Sequence, residues 1–326
     1  MSFPRIFAFL TAGLVLGFGA NVLAEAPGQP YPSRPIKIVV AFPAGTQPDI
    51  MARIAAQSMA PQLGVVIVEN HPGAGGTIAT KAAANTEPDG YTLLLGGTSN
   101  LSISPALYRN HGYDPIKSFA PVAMLAKTPF VLAVSRDLPV RSVADLVSYA
   151  KAHPGTLNFG AATGTPPQMV CELLKSLTGI DIVHIPYTSG MQAVTDLLSG
   201  QAQISCEAAS LLLPYIQSGK ITALATMSTA RLPDLADVPT TLEVGLPDLV
   251  VSVWSGIVAP AGTPKAIIDK LNASINEGLR SPAVKASLDK LNAQAETISP
   301  EEFGVFIGTE AKKWADVVKL SGAKVD

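Results

Sequence analysis

The chain has 326 residues and a formal net charge of −2 at pH 7, with 48% hydrophobic and 15% charged residues. This length favours two domains, and the composition excludes a disordered chain. The nearly balanced charge excludes a surface for phosphate backbones, so we expect no nucleic-acid partner. Two cysteines and four histidines without metal-motif spacing provide no zinc site, and we expect no metal or cofactor.

The first 24 residues are typical of a secretory signal peptide. Arg5 precedes an uncharged apolar run at 6–20, and small residues at 22–24 or 24–26 provide a cleavage site. The run is short for a bilayer crossing of about 20 residues, so we expect export and cleavage. In an oxidising compartment, Cys171 and Cys206 either form a disulfide or stay buried as thiols, and the sequence leaves both alternatives open.

Short apolar runs bounded by turn residues predict the strands along the chain. They lie at 36–41, 65–68, 91–95, 131–134, 157–160, 182–185, 203–206 and 253–258. Helical patterns follow most of them, and the chain from 264 to about 318 is mostly helical, with Pro264, Pro282 and Pro300 at first helical positions. This alternation predicts the α/β class, with parallel sheets flanked by helices.

Two seams divide the predicted elements into domains. One lies near Thr128-Pro129, and the other lies in a Pro- and Asp-rich segment at 231–239. We therefore expect residues 31–128 and 235–326 to form a first lobe, with residues 129–234 inserted as a second lobe. Two lobes joined by two crossings leave a cleft between them, which is a common place for a ligand.

Catalytic motifs are not evident in the sequence. The loop at 73–76 has Ile78 where a dinucleotide fingerprint needs its third glycine, so a tight turn is the better interpretation. Residues 97–101 lack the second glycine of a nucleophile elbow. His184 lies in an apolar run, which favours a core or strand histidine. We therefore predict no catalytic residues and no enzyme, and a periplasmic hydrolase is the least favoured alternative.

Three loops at predicted strand ends are candidates for a binding site. Residues 42–49 and 161–168 each lead from a strand into a helix, and residues 98–100 add hydroxyl and amide groups. Backbone N–H groups at helix N-termini bind carboxylates and phosphates without Lys or Arg. Ordinary strand-to-helix turns use the same residues, so both interpretations stay open at this point.

Several sequence strings together resemble one receptor family. Residues 31–36 (Tyr-Pro-Ser-Arg-Pro-Ile), just after the signal segment, are similar to the start of Bug-type proteins, the extracytoplasmic solute receptors of the tripartite tricarboxylate transporter system. Further similar strings lie at 42–45 with Asp49, 69–76, 88–94, 113–115, 119–122, 184–187 and 259–264. The resemblance extends from about Tyr31 to the C-terminus.

The resemblance implies a type II, Venus-flytrap periplasmic binding protein that captures a small organic acid in its cleft without catalysis. It implies a periplasmic location, delivery to membrane permease subunits, and a monomer. A ligand sensor for a membrane signalling partner is the alternative. The ligand-binding residues implied are Pro43, Ala44, Gly45, Thr46, Gln47, Asp49, Thr98, Ser99, Asn100, Ala161, Thr163, Gly164, Thr165, Pro166, Gln168 and Glu207.

Some of these positions depart from the pattern of the family. Thr46 stands where a second glycine is usual, Gln168 where histidine is frequent, and Glu207 and Ala208 where Asp and Asn are usual. Because they belong to the expected ligand shell, they bear on which ligand is bound. A carboxylate at Glu207 either rejects a second ligand carboxylate or accepts a hydrogen bond from a ligand N–H or O–H.

Overall fold

The computed structural model describes residues 30–323. The predicted signal segment lies outside the described residues. The strands are β1 (Ile36–Val40), β2 (Val66–Asn70), β3 (Thr92–Gly97), β4 (Phe119–Ser135), β5 (Leu157–Ala162), β6 (Ile182–Tyr187), β7 (Ile204–Ala208), β8 (Ile221–Thr226), β9 (Ser252–Pro260) and β10 (Gln294–Ala295). The helices are α1 (Gln47–Leu63), α2 (Thr77–Ala84), α3 (Ser104–Leu107), α4 (Val143–Ala152), α5 (Pro166–Thr178), α6 (Gly190–Ser199), α7 (Ala209–Gln217), α8 (Lys265–Leu279), α9 (Pro282–Asp289) and α10 (Pro300–Ser321).

The strands form one mixed sheet in the order β2-β1-β3-β9-β4-β7-β5-β6, with β8 and β10 also paired to β4. The outer strands of each half are parallel: β1 pairs with β2 and β3, and β5 pairs with β6 and β7. The central strands β9 and β4 run antiparallel to their neighbours. The predicted α/β class is confirmed, and the antiparallel strands are those that link the two halves.

The strand β4 belongs to both halves of the sheet. Its first part, to Pro129, pairs with β9, and from Phe130 onward it pairs with β7 and β8. The sequence predicted a strand only at 131–134, because Lys127 and Pro129 interrupt the apolar pattern. Pro129 lies at the point where β4 stops pairing with β9 and begins to pair with β7 and β8. The N–H that proline lacks therefore removes few hydrogen bonds between the strands.

Helix ends follow from local sequence. Ser299 and Glu302 form a capping box at α10, where Ser299 accepts from the Glu302 N–H and Glu302 accepts from the Ser299 N–H. Pro282 and Pro300 occupy first helical positions as predicted. Pro264 instead precedes α8 as its N-cap.

The two halves of the sheet have separate hydrophobic cores. Ile36, Ile38 and Met51 lie in the core between the first half of the sheet and helices α1 and α8. Phe130 and Phe159 lie in the core of the second half. The long helix α10 contacts both halves, because its Phe303 and Ile307 pack beside β1, β3 and β9, and its Trp314, Val317 and Val318 pack with Phe130 and Phe159. Among residues 30–323, no helix is long and apolar enough to cross a membrane.

Candidate functional site

A cleft opens at the carboxyl ends of β1 and β3. It includes residues of the predicted loops at 42–49 and 98–100 and also residues of β9. Its lining comprises Phe42, Gln47, Pro48, Leu95, Gly96, Gly97, Thr98, Ser99, Asn100, Val253, Trp254 and Ser255. The structure thus brings two of the three predicted loops together, and it adds the start of β9, which the sequence analysis did not assign to the site.

The loop before α1 has a defined hydrogen-bonded shape. Gly45 has a φ of +80°, a conformation that glycine adopts at little cost. The hydroxyl of Thr46 donates to the Pro43 carbonyl at 2.6 Å, and the Gly45 N–H donates to the Asp49 carboxylate at 2.9 Å. The loop therefore presents the N-terminus of α1 with small exposed residues, Pro43 and Ala44, beside it.

The side chain of Asp49 stabilises this loop through hydrogen bonds. Its buried carboxylate accepts from Arg53 at 3.0 and 3.1 Å and from Asn70 at 3.0 Å, in addition to Gly45. Burial opposes ionisation, but the hydrogen bonds from Arg53, Gly45 and Asn70 hold the pKa of Asp49 below its usual value. These protein partners occupy both carboxylate oxygens, so the free polar group of Asp49 is its backbone N–H.

The loop before α5 repeats the same design in the other half of the sheet. Gly164 has a φ of +75°, the Thr165 hydroxyl donates to the Ala162 carbonyl at 2.6 Å, and the Gly164 N–H donates to Gln168 Oε1 at 2.7 Å. Each bond has the same sequence offset as its counterpart before α1. The amide of Gln168 also contacts His184 Nδ1 at 3.3 Å, while His184 Nε2 lies 3.0 Å from the Ala161 carbonyl. His184 therefore positions Gln168, and both belong to the support of the loop.

The two helix N-termini differ in the number of donors that they offer. The first N–H groups of a helix have no acceptor within the helix, but proline has no N–H at all. At α1 the first three residues are Gln47, Pro48 and Asp49, and at α5 they are Pro166, Pro167 and Gln168. The two prolines of α5 therefore leave one N–H donor in its first three residues, against two in the first three residues of α1.

The loop at 98–100 is mainly a structural support. Thr98 begins a turn of π-helix, Thr98–Ile103, and its hydroxyl accepts from the Trp254 N–H at 2.9 Å. The side chain of Asn100 accepts from Gly97 and donates to Thr80 and Leu95, so its amide is fully engaged. Ser99 lines the cleft, and within residues 30–323 its hydroxyl has no protein partner. Of the three, Ser99 is the side chain available to a ligand.

The glycine pair before this turn explains why β9 reaches the cleft. A Cβ added to Gly97 would lie 2.8 Å from the Trp254 carbonyl oxygen, so a side chain there would push β9 away. Gly97 pairs with Ser255 in the sheet. The signal for this contact was present in the sequence as Gly96-Gly97, but its partner strand is distant in the chain and could not be identified from local pattern.

Glu207 lies at the carboxyl end of β7, in the second half of the sheet. The parallel strands β5 and β7 pair Phe159 with Ile204. Three residues further along each strand, Glu207 is therefore level with Ala162, where the loop before α5 begins. The carboxyl group is buried and accepts from the Ala208 N–H at 3.2 Å. Burial raises the pKa of Glu207 to about 7, and the bond from Ala208 offsets part of that effect.

The two cysteines lie in the core beneath this edge. Cys171 and Cys206 are both buried and both are free thiols in the structure. Burial, followed by a hydrogen bond with Cys206, raises the pKa of Cys171 well above its ordinary value. Of the two alternatives left by the sequence, the structure therefore contains the thiols, held close together. Residues 30–323 contain no group of three or more His, Cys, Asp or Glu side chains arranged to hold a metal ion.

Two half-sheets that share crossing strands and carry matched helix N-termini at their carboxyl ends define the class of periplasmic binding proteins. Residues 51–323 match the model of the tripartite tricarboxylate transporter family receptor. The chain therefore belongs to this receptor family, as the sequence resemblance predicted.

Individual relatives agree with this assignment. The chain is 38% identical to protein BugT of Bordetella pertussis (strain Tohama I) over 309 residues, which cover 94% of this chain and 95% of BugT. The structure of the periplasmic binding protein BugD is 36% identical, with a TM-score of 0.75 over 90% of this chain and 99% of BugD. MatC of Rhodopseudomonas palustris, solved with bound malate, is 34% identical, with a TM-score of 0.75 over 88% of this chain and all of MatC (100%).

Proposed function

We propose that this protein is a periplasmic receptor that captures a small carboxylate between the halves of its sheet and delivers it to membrane permease subunits. The observation that carries the proposal is the repeated loop design before α1 and α5, which directs two helix N-termini to the carboxyl edges of both halves. Helix N-termini attract anions through their free N–H groups and their dipole. The malate bound to MatC supports a carboxylate as the ligand class.

In this proposal the first contact is made at α1. The N–H groups of Gln47 and Asp49 donate to the ligand carboxylate, and the Ser99 hydroxyl donates from the neighbouring loop. The Asp49 charge does not repel the ligand, because Arg53 pairs with it at 3.0 Å. The α1 terminus has one more donor than α5, so we infer that the first half of the sheet holds the anion before closure.

Closure then brings the second loop onto the ligand. Rotation between the halves requires bending where the chain crosses, at Pro129 in β4 and at the paired Ser252 of β9. The side chain of Gln47 donates to the Thr128 hydroxyl at 3.2 Å, so the ligand loop is hydrogen-bonded to the crossing itself. We propose that residues 31–128 and 235–326 move as one lobe and residues 129–234 as the other, with α10 limiting the rotation.

Export through the N-terminal segment and release of the ligand to a permease complete the proposed cycle. Capture and delivery require no covalent step, so we propose binding without catalysis. We also propose a monomer, because each half of the candidate site is built from one chain.

A matched pair of glycine variants tests the binding site. Gly45→Leu and Gly64→Leu change opposite ends of α1, at φ angles of +80° and +73°, with open space around each Cβ position. Both variants place a side chain at a positive φ, and urea unfolding of each variant without ligand measures the strain that this causes. The purified protein is unfolded, dialysed and refolded to remove any bound ligand, and carboxylates including malate are screened by thermal shift.

A ligand at 100 times its dissociation constant adds about 2.7 kcal/mol of stability. We expect this stabilisation in the wild-type protein and in Gly64→Leu, and its loss in Gly45→Leu, where the side chain covers the helix N-terminus. Equal stabilisation of the two variants would show that the ligand does not bind at α1.

A further inference from the structure

A second cavity lies where the chain crosses between the two halves of the sheet. It measures about 230 Å³ and shares no lining residue with the ligand cleft. We call it the hinge cavity, because the crossing strands β4 and β9, the segment after β8, strand β10 and helix α10 all contribute to its walls. Its lining includes Lys127, Pro129, Thr229, Ser252, Gln294 and Phe306.

The hinge cavity and the ligand cleft lie on opposite faces of β4. Neighbouring side chains of a strand point to opposite faces of the sheet, and the pairing of β4 with β9 is regular from residue 127 to residue 129. The Thr128 hydroxyl accepts from Gln47 of α1, and Phe130 lies in the core that α5 covers. The Lys127 ammonium instead lies 4.7 Å from the centroid of the Phe306 ring in α10. Both ligand-binding helices therefore lie on one face, and the hinge cavity lies on the other.

The two cavities change in opposite senses when the lobes rotate. The pivot of this rotation is the pair formed by Pro129 of β4 and Ser252 of β9. Thr229 of the hinge cavity belongs to the lobe that we propose at residues 129–234, whereas Gln294 and Phe306 belong to the other lobe. Lobes that approach each other on the cleft face of the pivot separate on its other face. Closure of the cleft therefore widens the hinge cavity.

The side chain of Ser252 points into the hinge cavity. Residues paired directly across two strands project to the same face, and the partner of Ser252 is Pro129, which lines the cavity. Ser252 is half-buried, and within residues 30–323 its hydroxyl has no hydrogen-bond partner. A small side chain thus stands at the pivot, and a larger one there would occupy the hinge cavity without losing a hydrogen bond.

We propose that the bulk of the side chains in the hinge cavity sets the balance between the open and closed forms of the receptor. The small Ser252 allows the cavity to be narrow and the cleft open, whereas bulk in the cavity holds it wide and the cleft closed. This inference rests on the proposed function and adds a control of closure to it. Apparent affinity scales with the closed fraction, so raising that fraction from about 5% to about half tightens binding about tenfold, with the ligand loops unchanged.

Two variants with added bulk test the hinge cavity. Ser252→Phe adds a ring at the pivot, and Thr229→Trp adds one from the other lobe. Ser176→Phe, at an exposed position near the end of α5, is the matched control. Each protein is unfolded, dialysed and refolded, and circular dichroism checks its fold. Small-angle X-ray scattering then measures the radius of gyration without ligand, and calorimetric titration with malate measures affinity.

We expect both cavity variants to have a smaller radius of gyration without ligand than wild type and Ser176→Phe, and to bind malate about tenfold more tightly. A wild-type radius in either folded cavity variant would overturn the inference, and so would a larger radius with weaker binding. If the wild-type protein binds none of the carboxylates in the thermal-shift screen while the cavity variants are compact, the proposed function fails and the control of closure stands.

Discussion

Replacing Glu207 with glutamine should change how stability depends on pH. The pKa of this carboxyl group is about 7 in the folded protein, against 4.5 for an ordinary glutamate. The folded state therefore binds this proton more tightly than the unfolded state does, and stability falls as pH rises between the two values. A difference of about 2.5 units corresponds to about 3 kcal/mol, at 1.36 kcal/mol for each unit.

Urea unfolding of the ligand-free protein between pH 5 and pH 8 measures this effect. Other titrating groups are common to wild type and Glu207→Gln, so the difference between the two curves isolates Glu207. We expect the wild-type free energy of unfolding to fall by about 2–3 kcal/mol relative to the variant over this interval, most steeply below pH 7. Parallel curves for the two proteins would refute the reasoning, because Glu207 would then titrate alike in the folded and unfolded states.

Three further predictions follow from the contacts. Asp49→Ala removes the hydrogen bonds that hold the loop before α1, so it should lower the free energy of unfolding in urea by about 2 kcal/mol. It should also weaken carboxylate binding at least tenfold in calorimetry, and unchanged affinity would contradict the supporting role of Asp49. Gly164→Leu should abolish binding while Gly179→Leu, at the other end of α5 with a similar φ, keeps it; loss in both would indicate a folding defect. Cys171 and Cys206 should resist thiol reagents in the native protein and both react in denaturant, and two unreactive residues there would reveal a disulfide.

The sequence predicted the fold well where the pattern was local. Strand runs bounded by Gly and Pro predicted eight of the ten strands in residues 30–323, but not β8 or β10. The seam at Thr128-Pro129 coincides with the change of partners in β4. The length of β4 was missed, because Lys127 and Pro129 resemble a strand end when neighbouring strands are unknown. Pairing in a sheet is decided by residues far apart in the chain, such as Gly97 and Ser255.

In the candidate site too, features set by neighbouring residues could be predicted, and contacts between residues far apart in the chain could not. The loops at 42–49 and 161–168 were identifiable because glycine and a helix start lie close in sequence. The supporting role of Asp49 was not, since it depends on Asn70 in β2. The small number of N–H donors at the start of α5 follows from Pro166-Pro167, but the sequence analysis did not infer it. The burial of Glu207 beside Gly190 depends on the packing of β7 against α6, which local sequence does not reveal.

The central claim is that a ligand carboxylate binds at the N-terminus of α1. A crystal structure of the refolded protein with the tightest-binding acid of the thermal-shift screen tests it most directly. The account predicts carboxylate oxygens within about 3 Å of the backbone nitrogens of Gln47 and Asp49, with the loop at Gly164 closed over the ligand. A carboxylate held by a lysine or arginine side chain, or bound outside the cleft between the two loops, would contradict the account.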